Sequence, residues 1–247
     1  MLDIRVLQKD GIIAMLGASL QVAQHRHHAL QFSLELSSPL HVEVEGELLQ
    51  ESVLLIAPDR PHKLESEHCL ILLIEPESHL SRRLVELYLQ EKSWSPLSIS
   101  CKKIFEEQFI SSGFSWDTVN AVLLQLDEHL CLERHIEPRI QKILSWLEEL
   151  SEKGRWDEAG LDAALKQIHL SESRFLHLFV EQVGINWRRY LRWRRLLSAV
   201  NDVSKGYSLT ESAHRAAFSD ASHFSRVFKE MFGSSPRNIL RHMKMQE

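Results

Sequence analysis

The 247-residue chain is poor in glycine and proline, with nine and seven residues, which excludes a collagen-like repeat or a linker-dominated chain. Long apolar runs are missing too. The longest, such as Leu70 to Ile74, fall far short of the roughly 20 residues that cross a bilayer, so a membrane protein is not expected. Cysteine is scarce: Cys69, Cys101 and Cys131 are widely spaced and make neither an even disulfide framework nor a paired metal knuckle. No export signal is read, because Asp3, Arg5, Lys9 and Asp10 interrupt the apolar stretch one would need. The expected setting is a reduced cytoplasm.

What the chain does have is 44% apolar and 26% charged residues, enough for one large core or two small ones. The net charge of -5 is unevenly spread. Residues 1–150 hold 13 Lys and Arg against 23 Asp and Glu, whereas the remaining 97 residues hold 16 against 11, and eleven of those sixteen cations are Arg. A basic half joined to an acidic half points to a polyanion-binding module attached to a part with a different task, and nucleic acid is the first polyanion to consider.

In the acidic half Leu30, Phe32, Leu34 and Leu36 alternate with polar residues, which predicts a half-buried strand. Leu40, Val42 and Val44 repeat the pattern up to a turn at Gly46, and short apolar runs follow at Val53 to Ala57 and Leu70 to Ile74. Strands at this spacing predict a small β-sandwich or barrel over about residues 3–75. After Pro76 the period changes. Leu80, Leu84, Leu87 and Tyr88, then Val119, Val122, Leu123, Leu126 and Leu130, mark two amphipathic helices, either paired between subunits or capping the sheet, while Glu91 to Gly113 reads as irregular. Beyond Glu133 the chain reads as helical, with Pro138 in a first turn followed by the stripe Ile140, Ile143, Leu144 and Leu147. The domain boundary is placed near Arg134, giving domains 1–133 and 134–247.

The basic half contains an internal duplication. Phe175, Leu178 and Phe179 precede Gly184 as Phe224, Val227 and Phe228 precede Gly233, each glycine nine residues after the first phenylalanine and placed to end a helix. A shorter helix lies upstream of each, marked by Leu161, Ala164, Leu165 and Ile168 and by Leu209, Ala213 and Ala216, with Ser171 or Ser219-Asp220 as capping candidates. Each copy is a helix-turn-helix. Between them Asn186 to Val200 forms a connecting helix carrying Arg188, Arg189, Arg192, Arg194 and Arg195, which either touch phosphate or form surface pairs one turn apart.

The run Ala217 to Glu230, followed by Phe232-Gly233-Ser234-Ser235-Pro236, closely resembles the signature of the AraC/XylS family of bacterial transcription regulators, and the resemblance covers about Glu137 to Met243. The N-terminal part resembles the cupin-type sensing domain of many members through its strand pattern and Gly17, His25, His27 and His62. The implied fold is α+β: a small cupin-like β-barrel with two helices, then an all-α domain with two helix-turn-helix motifs. The implied function is sequence-specific binding of promoter DNA as an effector-responsive regulator, by analogy an activator, acting as a homodimer with RNA polymerase as a further partner. Its two recognition helices would enter successive major-groove segments about 34 Å apart. Ser173, Leu176 and His177, with Ala221, Ser222, Ser225 and Arg226, would then face bases or phosphates, and Arg226 has the guanidinium that grips guanine. Phe175, Phe179, Phe224 and Phe228 are expected in the core.

Some residues depart from the family pattern. Ala217 stands where a glycine normally precedes the phenylalanine, Leu165 where a small residue is common, and Leu176, His177 and Val180 replace more polar residues. In the first domain Gln31 stands where a metal-binding cupin would have glutamate. Three imidazoles could hold zinc, nickel or iron(II) if the strands bring them together, but the expectation is a small organic effector in a barrel with no metal and no cofactor, and no catalytic residue is assigned. No redox role is expected of the cysteines. The rival reading is a cupin-type metalloenzyme using His25, His27 and His62.

Overall fold

The computed structural model describes residues 4–9, 11–76, 78–98, 101–127, 136–183, 185–237 and 243–245. Its contacts divide the chain into two compact units, Met1–Glu133 with Lys229–Glu247, and Arg134–Phe228. The proposed boundary at Arg134, Leu130 of the second helical stripe, Cys131 and Gly184 lie outside the described residues.

The first unit is built around a sheet of β1 (Ile4–Lys9), β2 (Ile12–His25), β3 (Leu30–Glu35), β4 (Leu40–Val44), β5 (Glu47–Glu51), β6 (Val53–Ile56), β7 (His62–Ile74), β8 (Trp94–Pro96) and β9 (Met243–Met245). All described pairings are antiparallel except that of β1 with β9. The long strand β7 uses both edges. One edge runs along β2 from Ile12↔Ile74 to His25↔His62; the other pairs first with β4, from Val44↔His62 to His41↔Glu65, and then with β3, from Glu35↔Cys69 to Leu30↔Ile74. Strand β4 keeps the expected alternation, with Leu40, Val42 and Val44 buried and His41 exposed.

Strand β3 departs from it, because all six of its residues are buried. Leu30, Phe32 and Leu34 enter the apolar core, and the opposite face is covered as well. There Gln31 and Ser33 hydrogen-bond each other, and Glu35 accepts two hydrogen bonds from Lys102 at 3.1 Å. Alternating polarity marked the two faces but could not show that the polar one would find partners inside.

Helices α1 (His79–Leu84), α2 (Cys101–Ser112) and α3 (Trp116–Leu126) complete the unit, with a π-helical turn at Val85–Leu89 continuing α1. The expected irregular stretch from Glu91 to Gly113 is a correction: it holds β8 and the twelve-residue α2. Its apolar signal is sparse, since only Cys101 and Phe105 of α2 are buried, with Phe109 stacked on Phe105 at 5.5 Å. Among the described residues α2 therefore adds a third helix to the two expected. Leu80, Leu84, Val119, Val122, Leu123 and Leu126 join the same core as Phe32 and Leu72, so the helical stripes cap the sheet. Leu87, Ile110 and Leu124 remain exposed.

The second unit begins with α4 (Pro138–Lys153). Pro138 fits its first turn, the Glu137 side chain accepts from the N–H groups of Arg139 and Ile140, and Gly154 ends the helix in the left-handed conformation at φ 64°. Ile140, Ile143, Leu144 and Leu147 are buried, as the stripe predicts. There follow α5 (Leu161–Ile168), α6 (Glu172–Val183), α7 (Trp187–Ser204), α8 (Leu209–Arg215) and α9 (Ala221–Phe232), the last four residues of which are counted with the first unit. The largest enclosed side chains of this region are Trp156, Trp193, Tyr190, Phe175, Phe179, Phe224 and Phe228.

Cys69 and Cys101 are free and buried, and desolvation pushes both thiols up to about 11. In a Cys131→Ser background, Ellman's reagent in mildly alkaline buffer is expected to leave the folded chain unlabelled and to titrate both thiols after denaturation. Fast labelling of the folded chain would mean that the packing around β7 or α2 opens readily.

Candidate functional site

Each helix-turn-helix is set by its turn. In the first, α5 ends at His169, which is left-handed at φ 51° and donates its N–H to the Leu165 carbonyl. Ser171 then caps α6 through the Arg174 N–H at 3.4 Å. In the second, the Ser208 hydroxyl accepts from the Glu211 N–H while Glu211 reaches back to the Ser208 N–H, a reciprocal cap that starts α8. Helix α8 ends with Ala217 donating to the His214 carbonyl and Phe218 to that of Ala213, both at 2.9 Å. This pair of bonds closes a helix around a left-handed residue, and that residue is Ala217 at φ 56°. Asp220 caps α9 by accepting from the His223 N–H at 2.7 Å. That bond, first among the contributions, holds the Asp220 carboxyl below its ordinary range, and Arg226 adds a weaker attraction.

The aromatic stripes fix the rotation of the two second helices. Phe175 and Phe179 pack on Trp187 with centroids 5.3 and 5.1 Å apart, and Phe179 also meets Tyr190. Phe224 sits between Phe218 and Phe228, at 5.5 and 5.8 Å. All four phenylalanines are buried, as expected of core residues. The opposite faces carry the residues singled out for recognition. On α6 Ser173 and His177 are exposed and Leu176 is half-buried; on α9 Ser222 and Arg226 are exposed and Ala221 and Ser225 half-buried. His177 lies 3.9 Å from Glu181, an ion pair only when the imidazole is protonated. The sequence pattern did not single out Arg174, which is exposed in the first turn of α6 beside Ser173. A cation at the start of a second helix was the available signal.

The arginines of α7 divide by role. Arg188 and Arg189 are exposed. Arg194 instead donates to the Tyr190 hydroxyl and lies 3.9 Å from Glu148, and Arg195 donates to the Trp156 carbonyl at 3.0 Å. Burial draws the Arg195 guanidinium below its ordinary value. These two hold α7 to its own unit. Arg215 braces α8 in the same way, donating to Asp202 at 2.8 Å and covering the Tyr207 ring at 4.7 Å.

A helix-turn-helix domain family model matches residues 165–242. The HTH-type transcriptional activators RhaS of Escherichia coli strains SMS-3-5 and E24377A are 33% and 34% identical over 138 and 137 residues, in each case 54% of this chain and 48% of the relative. The C-terminal region contains a helix-turn-helix domain. The chain spans about half the length of the RhaS proteins it matches. The likeness of fold extends to solved structures. ToxT from Vibrio cholerae O395 superposes with a TM-score of 0.56 at 13% identity, covering 95% of this chain and 98% of that one. ToxT bound to (E)-4-(8-methylnaphthalen-1-yl)but-3-enoic acid gives 0.55 at 12% identity, covering 98% of each. At such identity the likeness is one of fold alone.

In the first unit the structure brings the three candidate histidines together. Ring centroids are 4.2 Å apart for His25 and His62, 5.0 Å for His27 and His62, and 5.4 Å for His25 and His27. Desolvation, the leading cause, lowers all three imidazoles, His25 to about 3 and His62 to about 2, so the rings are neutral in ordinary buffers. Gly17, part of the same resemblance, lies on β2 opposite Cys69 and Ile4.

The left-handed Ala217 generates a prediction. Left-handed backbone costs an L-residue about 1–2 kcal/mol, whereas glycine adds about 0.4–1 kcal/mol of unfolded-chain entropy. Ala217→Gly is therefore expected to stabilise the fold by about 0.5–1 kcal/mol, measured by urea denaturation followed by tryptophan fluorescence. A loss of stability would mean that the methyl group's packing outweighs the strain.

Proposed function

We propose that this protein is a sequence-specific, DNA-binding transcriptional regulator. In this reading residues 134–247 contact DNA, and residues 1–133 bind an effector and dimerise. The observation that carries it is the pair of helix-turn-helix units, each with its second helix anchored by a buried phenylalanine stripe and presenting a polar face outward. Such a helix inserts in the major groove, where its N-terminal residues meet base edges.

On that geometry Ser173, Leu176 and His177 of α6 serve one DNA segment, and Ala221, Ser222, Ser225 and Arg226 of α9 the next. Arg226 donates to a guanine, while Arg174, Arg188 and Arg189 steady the backbone of the duplex. The excess of arginine in residues 151–247 supports a strong phosphate component. The similarity to RhaS, a transcriptional activator, supports activation as the output, with RNA polymerase as partner. A small organic effector is supported by the ToxT structure that holds a naphthyl-substituted butenoic acid. The exposed Leu87, Ile110 and Leu124 of the first unit suit self-association. Among the described residues no helix is long and apolar enough to cross a membrane, which agrees with action in the cytoplasm. Binding of effector shifts the population between arrangements of the paired DNA-binding regions.

Fluorescence anisotropy on DNA from upstream of the chain's own gene and its neighbours, with scrambled DNA as control, tests this. One fragment is expected to bind preferentially with affinity falling steeply as salt rises, and Arg226→Ala to weaken it about tenfold or more, corresponding to about 1–3 kcal/mol for a bidentate base contact. Equal loss on scrambled DNA would reassign Arg226 to phosphate. Salt-insensitive binding, or none with or without effector candidates, would overturn the regulator reading.

A further inference from the structure

The outward faces of the two second helices differ in chemistry, although the helices are built alike. Each has twelve residues, and each buries the same three positions, Phe175, Leu178 and Phe179 in α6 and Phe224, Val227 and Phe228 in α9. Aligning Phe175 with Phe224 pairs Ser173 with Ser222, Leu176 with Ser225, His177 with Arg226 and Val180 with Lys229. Side chains at paired positions leave their helices in the same direction relative to the buried stripe.

On α9 these directions carry a half-buried hydroxyl, Ser225, and two exposed cations, Arg226 and Lys229. All three are groups that hydrogen-bond base edges or phosphates. On α6 the same directions carry the half-buried Leu176, the exposed His177 and Val180, which is 45% exposed. Leu176 and Val180 are one turn apart and so adjoin on the helix surface, and Ser173 continues their row toward the start of α6. Among the described residues of the second unit, only Val180 and Tyr207 are large apolar side chains left exposed, and Arg215 covers the Tyr207 ring at 4.7 Å. An aliphatic pair thus stands where the other copy presents a hydroxyl and a lysine.

In the major groove an aliphatic side chain has few acceptable neighbours. Pressed on the oxygens, ring nitrogens or amino groups of the base edges, it would strip their water and return no hydrogen bond. The apolar feature of that groove is the C5 methyl group of thymine. Along the helix axis Leu176 and Val180 are about 6 Å apart, a spacing that suits methyl groups about one or two base pairs apart.

We propose that α6 selects its DNA segment through thymine methyl groups, with Leu176 and Val180 as the specificity-determining contacts. This rests on the regulator reading and adds the base feature that α6 recognises. The bound site is then chemically asymmetric: one segment is chosen by apolar contact, and the segment under α9 by the hydrogen bonds of Arg226.

The probe is the duplex that the full-length chain recovers from a random-sequence library. Fluorescence anisotropy compares it with a duplex in which every thymine is replaced by deoxyuridine, which lacks only the C5 methyl group. The wild type is expected to bind the deoxyuridine duplex about fourfold more weakly for each methyl group contacted, hence more than about tenfold for two. Leu176→Ser and Val180→Ser are each expected to shrink this ratio, and the double variant to abolish it. Val180 is exposed, so Val180→Ser keeps the test decisive if Leu176→Ser fails to fold. Arg226→Ala, on α9, is expected to keep the ratio whatever it does to affinity. Equal binding of the two duplexes by the wild type would overturn the inference and leave the apolar pair to a protein partner. So would a ratio that both folded serine variants keep in full, or one that Arg226→Ala removes. In each of these cases sequence-specific binding survives, and with it the regulator reading; recovery of no preferred sequence would overturn both.

Discussion

The burial of one aromatic stripe on α6 and another on α9 is the constraint on which the outward faces of both helices depend. A helix with phenylalanines at i and i+4 has a single rotation that encloses both rings, and Phe175/Phe179 and Phe224/Phe228 are enclosed almost completely. Exposing either ring would cost about 3 kcal/mol or more, on the scale of truncating a core phenylalanine, well above the contribution of any one surface contact. Once the stripe is enclosed, Ser173 and His177, or Ser222 and Arg226, have no direction left but outward. The caps at Ser171 and Asp220 set where each helix begins, so these exposed residues fall in its first turns.

The first unit answers to a different constraint, the need to pair every buried polar group. Its strand β3 is enclosed on both faces, so Gln31, Ser33 and Glu35 must find partners inside. Glu35 meets Lys102 of α2, and Gln31 meets Ser33 and two imidazoles. The polar face of one strand thereby draws α2, β2 and β7 around it. A histidine cluster of this kind adds little apolar area, and its rings are neutral because burial makes the charged form costly.

Much of this was legible in the residues, for reasons that differ between the halves. The duplicated stripe and the turn residues of the second half are local signals: helical spacing reports the buried face directly, and Ser171, Asp220 and Ala217 act within a few residues of themselves. The resemblance places a glycine at the position of Ala217, which implies a left-handed turn there, and Ala217 is found at φ 56°. Helix α2 was hidden because its buried positions are few and its remaining surface is mixed, so no period stood out. The split among the α7 arginines was hidden for another reason. Arg194 and Arg195 are ordinary surface residues by spacing, and only the placement of Trp156, Tyr190 and Glu148 makes them anchors.

The sequence by itself determined the class of the molecule: an acidic strand-rich part and a basic part with a duplicated helix-turn-helix, each second helix carrying a buried phenylalanine stripe. These are properties of periodicity and local chemistry, which a one-dimensional string carries in full. Only the tertiary structure decided that both faces of β3 are buried, which arginines of α7 are committed to the core, and that His25, His27, His62 and Gln31 share one small volume. Such facts depend on strand register between residues far apart in the chain, where backbone pairing along β7 sets the distances and no short-range pattern records them.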